Sequence, residues 1–222
     1  MRPEQYNLRE DDEFVYLPEE LFKLLPKEYR DAAQARKQQG EDVLRIGDKD
    51  VIGLIRLINM IPTTSNLSYI YHRLRTSVTE ATPASIMEQE VLTTAFIVTY
   101  ARLFASGNGA VRLSKTSIPD HLRPVHDDIM ELRHKRYAHN DVHKTVSSEI
   151  EVTFDNDSFN IRAKMNFGLY LGGRDEWEEL ITFIDAHMHE RVFKILDRLT
   201  KKTGYKWSFA SGPAPDWVGD YG

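Results

Sequence analysis

The chain contains no cysteine, so neither a disulfide framework nor a thiolate metal site can form. It has no long hydrophobic run either. Stretches such as Ala95-Phe96-Ile97-Val98 are far shorter than a membrane span. The opening residues Met1-Arg2-Pro3-Glu4-Gln5 lack the apolar stretch of a signal peptide, and a cytoplasmic location is expected. An excess of positive charge is missing too. The formal net charge is -5 and the sequence pI is near 5.9, so bulk charge cannot hold the molecule on nucleic acid. A phosphate-bearing ligand would need a local basic patch. No P-loop, Rossmann glycine fingerprint or G-x-S-x-G elbow is present.

What is there is enough for a core: 222 residues, 41% of them hydrophobic. Residues 1–17 read as a polar N-terminal arm with the acidic run Glu10-Asp11-Asp12-Glu13. A helix is expected from Pro18 to Gly40, where glycine would stop it. An apolar segment over 51–61 should end at Pro62, with Ser65-Asn66 capping the next helix. Thr82-Pro83 opens a central helix to about Ala105, and Gly107-Asn108-Gly109 stops it. Ser117-Ile118-Pro119-Asp120 begins another, with Leu122, Val125, Ile129 and Leu132 on one face; Pro124 would set a short 3₁₀ turn or a kink. It should end near Asn140-Asp141.

The period then changes from helical to two. Ile150, Val152 and Phe154 alternate with polar residues before Asp155-Asn156-Asp157. Phe159, Ile161, Ala163, Met165 and Phe167 alternate after it. This predicts a β-hairpin over about 148–168 with one apolar face. Asp175 caps a final long helix with Trp177, Leu180, Ile181, Ile184, Met188, Val192, Ile195 and Leu199 on one stripe. The tail, 203–222, is irregular, and its tryptophans suggest docking. The fold class is mainly α, with one helical domain over 18–202.

The basic patch lies between Arg123 and Lys144: Arg123, Arg133, Lys135, Arg136 and Lys144, with His121, His126, His134, His139 and His143 across the same stretch. Within it, Arg133 and His139 are six positions apart, roughly 120° around a regular helix. One straight helix cannot aim both at one point. Arg133 shares its face with His126 and Tyr137, whereas His139 extends the apolar stripe. Either the helix breaks at Tyr137 or Ala138, or two copies pack so that one chain's arginine meets the other's histidine. A structural reading stands beside these: the histidine caps a helix end, and the arginine stem covers the core edge. His139-x-x-x-His143 has metal-ligand spacing, but Asn140-Asp141 should end the helix between them and no third ligand is fixed, so no metal is expected. His187, His189 and Glu190 read as core-edge or solvated residues, and Glu88 and Glu90 as first-turn charges.

The segment Leu132-Arg133-His134-Lys135-Arg136-Tyr137-Ala138-His139-Asn140-Asp141 resembles the Arg-x5-His signature of the HEPN superfamily. The phrase Ala101-Arg102-Leu103-Phe104, one helix earlier, is similar to its abortive-infection subgroup. The resemblance covers roughly residues 66–200. It implies a bundle of four or five helices, with the hairpin inserted before the last, and a homodimer that brings two signature helices together. It also implies a metal-independent endoribonuclease without cofactor, in a toxin-antitoxin or phage-defence role, acting on RNA and held by an antitoxin or defence-system partner. The alternative is a catalytically inactive HEPN-like module that binds RNA or protein. Carried onto this chain, Arg133 and His139 are catalytic, and His134, Tyr137 and Asn140 support them. Lys135, Arg136 and Lys144 contact RNA. One family mode of control modifies a tyrosine just after the histidine; here Asn140 and Asp141 follow, which departs from that pattern.

Overall fold

The structure is a computed structural model that describes residues 9–10, 15–16, 19–77, 82–105, 109, 111–137 and 146–209. It is mainly helical, with one long β-hairpin. The chain divides into two compact units, Met1–Val51 with Ile195–Gly222, and Ile52–Lys194; the expected helical domain, 18–202, runs across both.

In the first unit, the arm pairs strand β1 (Arg9–Glu10) with β2 (Val15–Tyr16) in an antiparallel ladder. A single turn, α1 (Glu19–Phe22), precedes α2 (Lys27–Ile58), whose residues up to Val51 belong to this unit. The helix expected to stop at Gly40 instead runs through it. An isolated interior glycine costs only about 1 kcal/mol relative to alanine, and the helix formers on both sides outweigh that. Gly47 has a packing reason: a Cβ there would lie 2.7 Å from Leu199 Cδ2, on the C-terminal part of α6 (Asp175–Thr203). Asp50 accepts from Lys202 and pairs with Arg198 at 3.2 Å. Both cations hold its carboxyl below the usual range, with the Lys202 hydrogen bond the larger cause. Trp207 docks on the helix end, donating from its indole Nε1 to Thr203 Oγ1 at 2.9 Å. Tail residues 210–222 lie outside the described residues.

The second unit holds the core that positions the candidate site. α3 (Ile61–Thr76) begins with Pro62 in its first turn, so that proline opens this helix rather than only ending the preceding segment. Ser65 and Asn66, expected as caps, are inside it; Met60 is the N-cap and offers no side-chain hydrogen bond. α4 (Pro83–Arg102) starts as expected: Thr82 Oγ1 accepts from the Ser85 amide, and Ser85 Oγ accepts from the Thr82 amide. Its buried side carries Phe96, Ile97 and Tyr100. Phe96 stacks on Trp177 of α6, with ring centroids 4.6 Å apart. Leu67, Leu74, Ile129, Leu180 and Ile184 complete a core excluded from solvent. Gly107 and Asn108 lie outside the described residues.

Two 3₁₀ turns, Lys115–Ser117 and Asp120–Leu122, lead into α5 (Arg123–Leu132), with Pro124 in its first turn. The buried stripe is Leu122, His126, Ile129 and Leu132, with His126 taking a place read from sequence as Val125. The hairpin is β3 (Val146–Asp155) against β4 (Ser158–Phe167), paired in register from Val146↔Phe167 to Asp155↔Ser158. Asn156 and Asp157, both at positive φ, make the tight two-residue turn. Gly172 and Gly173 close the connection to α6 at φ +75 and +71.

Candidate functional site

The last α-helical residue of α5 is Leu132. From Arg133 to Tyr137 the chain continues as one wide π turn. A π turn takes i to i+5 hydrogen bonds, so it shifts the angular placement of every later side chain relative to an α-helix. The helix therefore changes geometry at the signature arginine itself, four positions before the tyrosine at which a break was one of the two expectations. Ala138, His139, Asn140, Asp141, His143 and Lys144 lie outside the described residues.

Arg133 is half-buried, and its Nη1 lies 3.1 Å from Nδ1 of His134. A guanidinium only donates, so Nδ1 is the acceptor in this contact. That contact fixes the arginine head from the side expected of a positioning neighbour. Among the described residues, no carboxylate pairs with Arg133. The guanidinium lines a cavity of about 200 Å³, shared with Arg102 at the end of α4. The wall between them is apolar: Val98, Ala101, Phe104 and Met130. Arg102 is exposed and likewise has no carboxylate partner among the described residues. Two arginines with no carboxylate partner among the described residues thus line one part-apolar cavity. The role of Arg102 was not read from the sequence. Its only signal was its place in the phrase Ala101-Arg102-Leu103-Phe104, one helix before the signature.

Arg136 corrects an expectation. It was read as an RNA contact, but its side chain is only 5% exposed. Nη2 donates to both carboxylate oxygens of Glu90 at 2.9 Å, and Nη1 donates to the Gly168 carbonyl at 2.7 Å. The group is a bolt between α4, the π turn and the residue that follows the hairpin. Glu90 is corrected with it: the residue lies in the third turn of α4 and serves as this partner, not as a first-turn charge. Glu88 pairs instead with Arg73 at 3.4 Å.

Tyr137 sits under Arg136, whose guanidinium carbon is 5.0 Å from the ring centroid. Its hydroxyl is buried without a hydrogen-bond partner, and burial pushes its pKa up. The half-buried ring packs against that guanidinium. Lys135 is exposed and pairs with Glu131 one turn back, at 2.8 Å. Such a pair is worth about 0.3–0.5 kcal/mol, so a phosphate can compete for the lysine.

Of the five histidines in the expected patch, His126 is not on the surface at all. It is 5% exposed, shares a 2.6 Å hydrogen bond between Nδ1 and the Tyr100 hydroxyl, and packs on Phe104 at 4.5 Å. Burial lowers its pKa. His121 reaches Glu179 at 3.0 Å. On α6, His187 stacks on Phe183 at the core edge and His189 is exposed, as read from the sequence. Among the described residues there is no group of three side chains that could hold a metal ion, and no helix is long and apolar enough to cross a membrane. Comparison with known proteins finds no matching family model, no matching curated protein and no matching solved structure.

Proposed function

We propose that this chain is a HEPN-type, metal-independent endoribonuclease that acts as a dimer, with Arg133 and His139 as its catalytic residues. The observation that carries the reading is the Arg133 guanidinium, which has no carboxylate partner among the described residues, bonds His134 and shares a part-apolar cavity with Arg102. Arg136, three residues on, is by contrast tied to Glu90.

The chemistry requires three roles. A base takes the ribose 2′-hydroxyl proton, a cation stabilises charge gathering on the phosphorane-like transition state, and an acid protonates the leaving 5′-oxygen. The 2′-oxygen forms a bond to phosphorus as the bond to the 5′-oxygen breaks, leaving a 2′,3′-cyclic phosphate and a 5′-hydroxyl. Arg133 supplies the cation, its planar fork matched to two phosphate oxygens. Imidazole suits both proton transfers near neutral pH, and two copies of His139 across a dimer provide the base and the acid. Asn140 holds the histidine or the phosphate. Lys135 and Lys144 extend the path of the RNA backbone. The biological setting that follows is RNA cleavage in a toxin-antitoxin or phage-defence system in the cytoplasm, restrained by a partner protein.

The test is incubation of the purified chain with total RNA in EDTA, beside Arg133→Ala and His139→Ala. Cleavage in the wild type and a loss of at least a hundredfold in each variant are expected. Cleavage that persists in both variants removes the assignment. Salt-sensitive RNA binding without cleavage by the wild type would replace it with the inactive binding module.

A further inference from the structure

The β3–β4 hairpin has an apolar face left exposed among the described residues. Because the strands pair residue for residue, cross-strand partners share a face. Ile150, Val152, Phe154, Phe159, Ile161 and Met165 all fall on one side, and each is 58–73% exposed. The other side carries Glu149, Glu151, Thr153, Arg162 and Lys164. The sorting is complete over the described residues of the ribbon, with Ser148 and Ala163 the only small residues among the apolar ones. Phe154 and Phe159 already touch across the turn, with centroids 4.7 Å apart.

A two-stranded ribbon is marginally stable in water by itself, and a contiguous apolar face of this size marks an interface. Six large apolar side chains, each more than half exposed, offer a face on the order of the 800 Å² that each partner buries in a standard stable complex. We propose that a second copy of this chain covers it, with the two hairpins stacked face to face about a two-fold axis. Three observations favour that occupant. The area matches one side of a stable dimer. The face carries no charge, so closing it strips no ion of water, and it offers nothing to pair with a phosphate backbone. It is apolar along its whole length, so the same surface serves both sides of an isologous contact, with the sheets about 10 Å apart. A lipid surface fits less well. On the polar side Glu149 and Glu151 offset Arg162 and Lys164, which leaves no net positive charge for anionic headgroups. The inference rests on the ribbon alone and goes beyond the nuclease reading, which calls for a dimer without locating its contact.

The full chain tests it by sedimentation velocity at micromolar concentration. The wild type is expected as a dimer, and Val152→Glu combined with Ile161→Glu as a monomer with unchanged helical circular dichroism. Thr153→Glu, on the polar side, should remain dimeric. The natural absence of cysteine gives a second readout that does not depend on charged variants folding. Treated with a bismaleimide spanning about 10 Å, the separation of the stacked sheets, Ile161→Cys should yield a covalent dimer, and Thr153→Cys should not. A monomeric wild type overturns the proposal, as does a charged double variant that stays dimeric or an Ile161→Cys chain that fails to cross-link. A monomer that floats with liposomes of neutral or anionic lipid assigns the face to a membrane and overturns it equally.

Discussion

Arg136 reaches across from the π turn to Glu90 on α4, and its Nη2 donates to both carboxylate oxygens at 2.9 Å. This contact joins the turn that carries Arg133 to the central helix. Removing one partner of a largely buried ion pair leaves the other charge uncompensated, which costs several kcal/mol. Glu90 keeps 30% of its side chain in solvent, which softens the penalty. Arg136→Ala is therefore expected to lower unfolding free energy by about 2–4 kcal/mol, read by urea titration. Below the new midpoint, the salt dependence of RNA binding should stay as in the wild type, because this guanidinium is almost fully buried and bonded to Glu90 and Gly168. A shallower salt slope would return Arg136 to the RNA interface.

The buried His126 makes acid sensitivity a second consequence. Its pKa is lowered in the folded protein, chiefly by burial; Lys115 adds to the effect and Asp127 opposes it. In the unfolded chain the ring returns to about 6.5, so below that pH the unfolded state binds the extra proton first. Stability is complete above pH 6.5 and falls on acidification, by at most about 1.4 kcal/mol per pH unit, until the folded ring also titrates. His187 shifts in the same direction, so a variant must isolate the His126 share. His126→Asn retains a hydrogen-bonding group near Tyr100 and cannot titrate. The wild type's advantage in melting temperature over the variant should shrink from pH 7 to pH 5. A constant gap would show that His126 does not carry the dependence.

Periodicity made much of the architecture readable. Thr82-Pro83, the α6 stripe from Trp177 to Leu199 and the alternation of the hairpin all appear where the pattern puts them. Each is a local signal, a cap or a repeat, that tertiary contacts do not oppose. Gly40 and Ser65-Asn66 misled because propensity is worth about 1 kcal/mol and neighbouring helix formers outweigh it. At the candidate site, the arginines Arg133 and Arg136 could not be told apart by sequence. Both sit in one basic run, and only the position of Glu90, forty-six residues earlier, decides that Arg136 is tied down. His126 was invisible as a core residue for a similar reason: its partners, Tyr100 and Phe104, lie on another helix. The exposure of the hairpin face is likewise a tertiary fact that alternation cannot supply.

Arg102 offers the sharpest division between the nuclease reading and a structural role for the basic run. It shares the cavity with Arg133 but sits on a different helix, outside the signature. If both guanidinium groups hold phosphates of one RNA strand, each removes about one counterion-release contact when truncated. The slope of log K against log salt should then flatten by about one unit for Arg102→Ala and again for Arg133→Ala. Chemistry separates the two. Arg133→Ala should abolish cleavage at saturating RNA, because its charge is needed in the transition state. Arg102→Ala should raise KM several-fold and leave kcat close to wild type, the signature of a ground-state contact. Since Arg102 is exposed and makes no ion pair among the described residues, its loss should change stability by less than about 0.5 kcal/mol. An Arg102→Ala protein that binds RNA with unchanged affinity and salt slope would show that the cavity does not lie on the RNA path. Arg133 would then have to find its phosphate from another side.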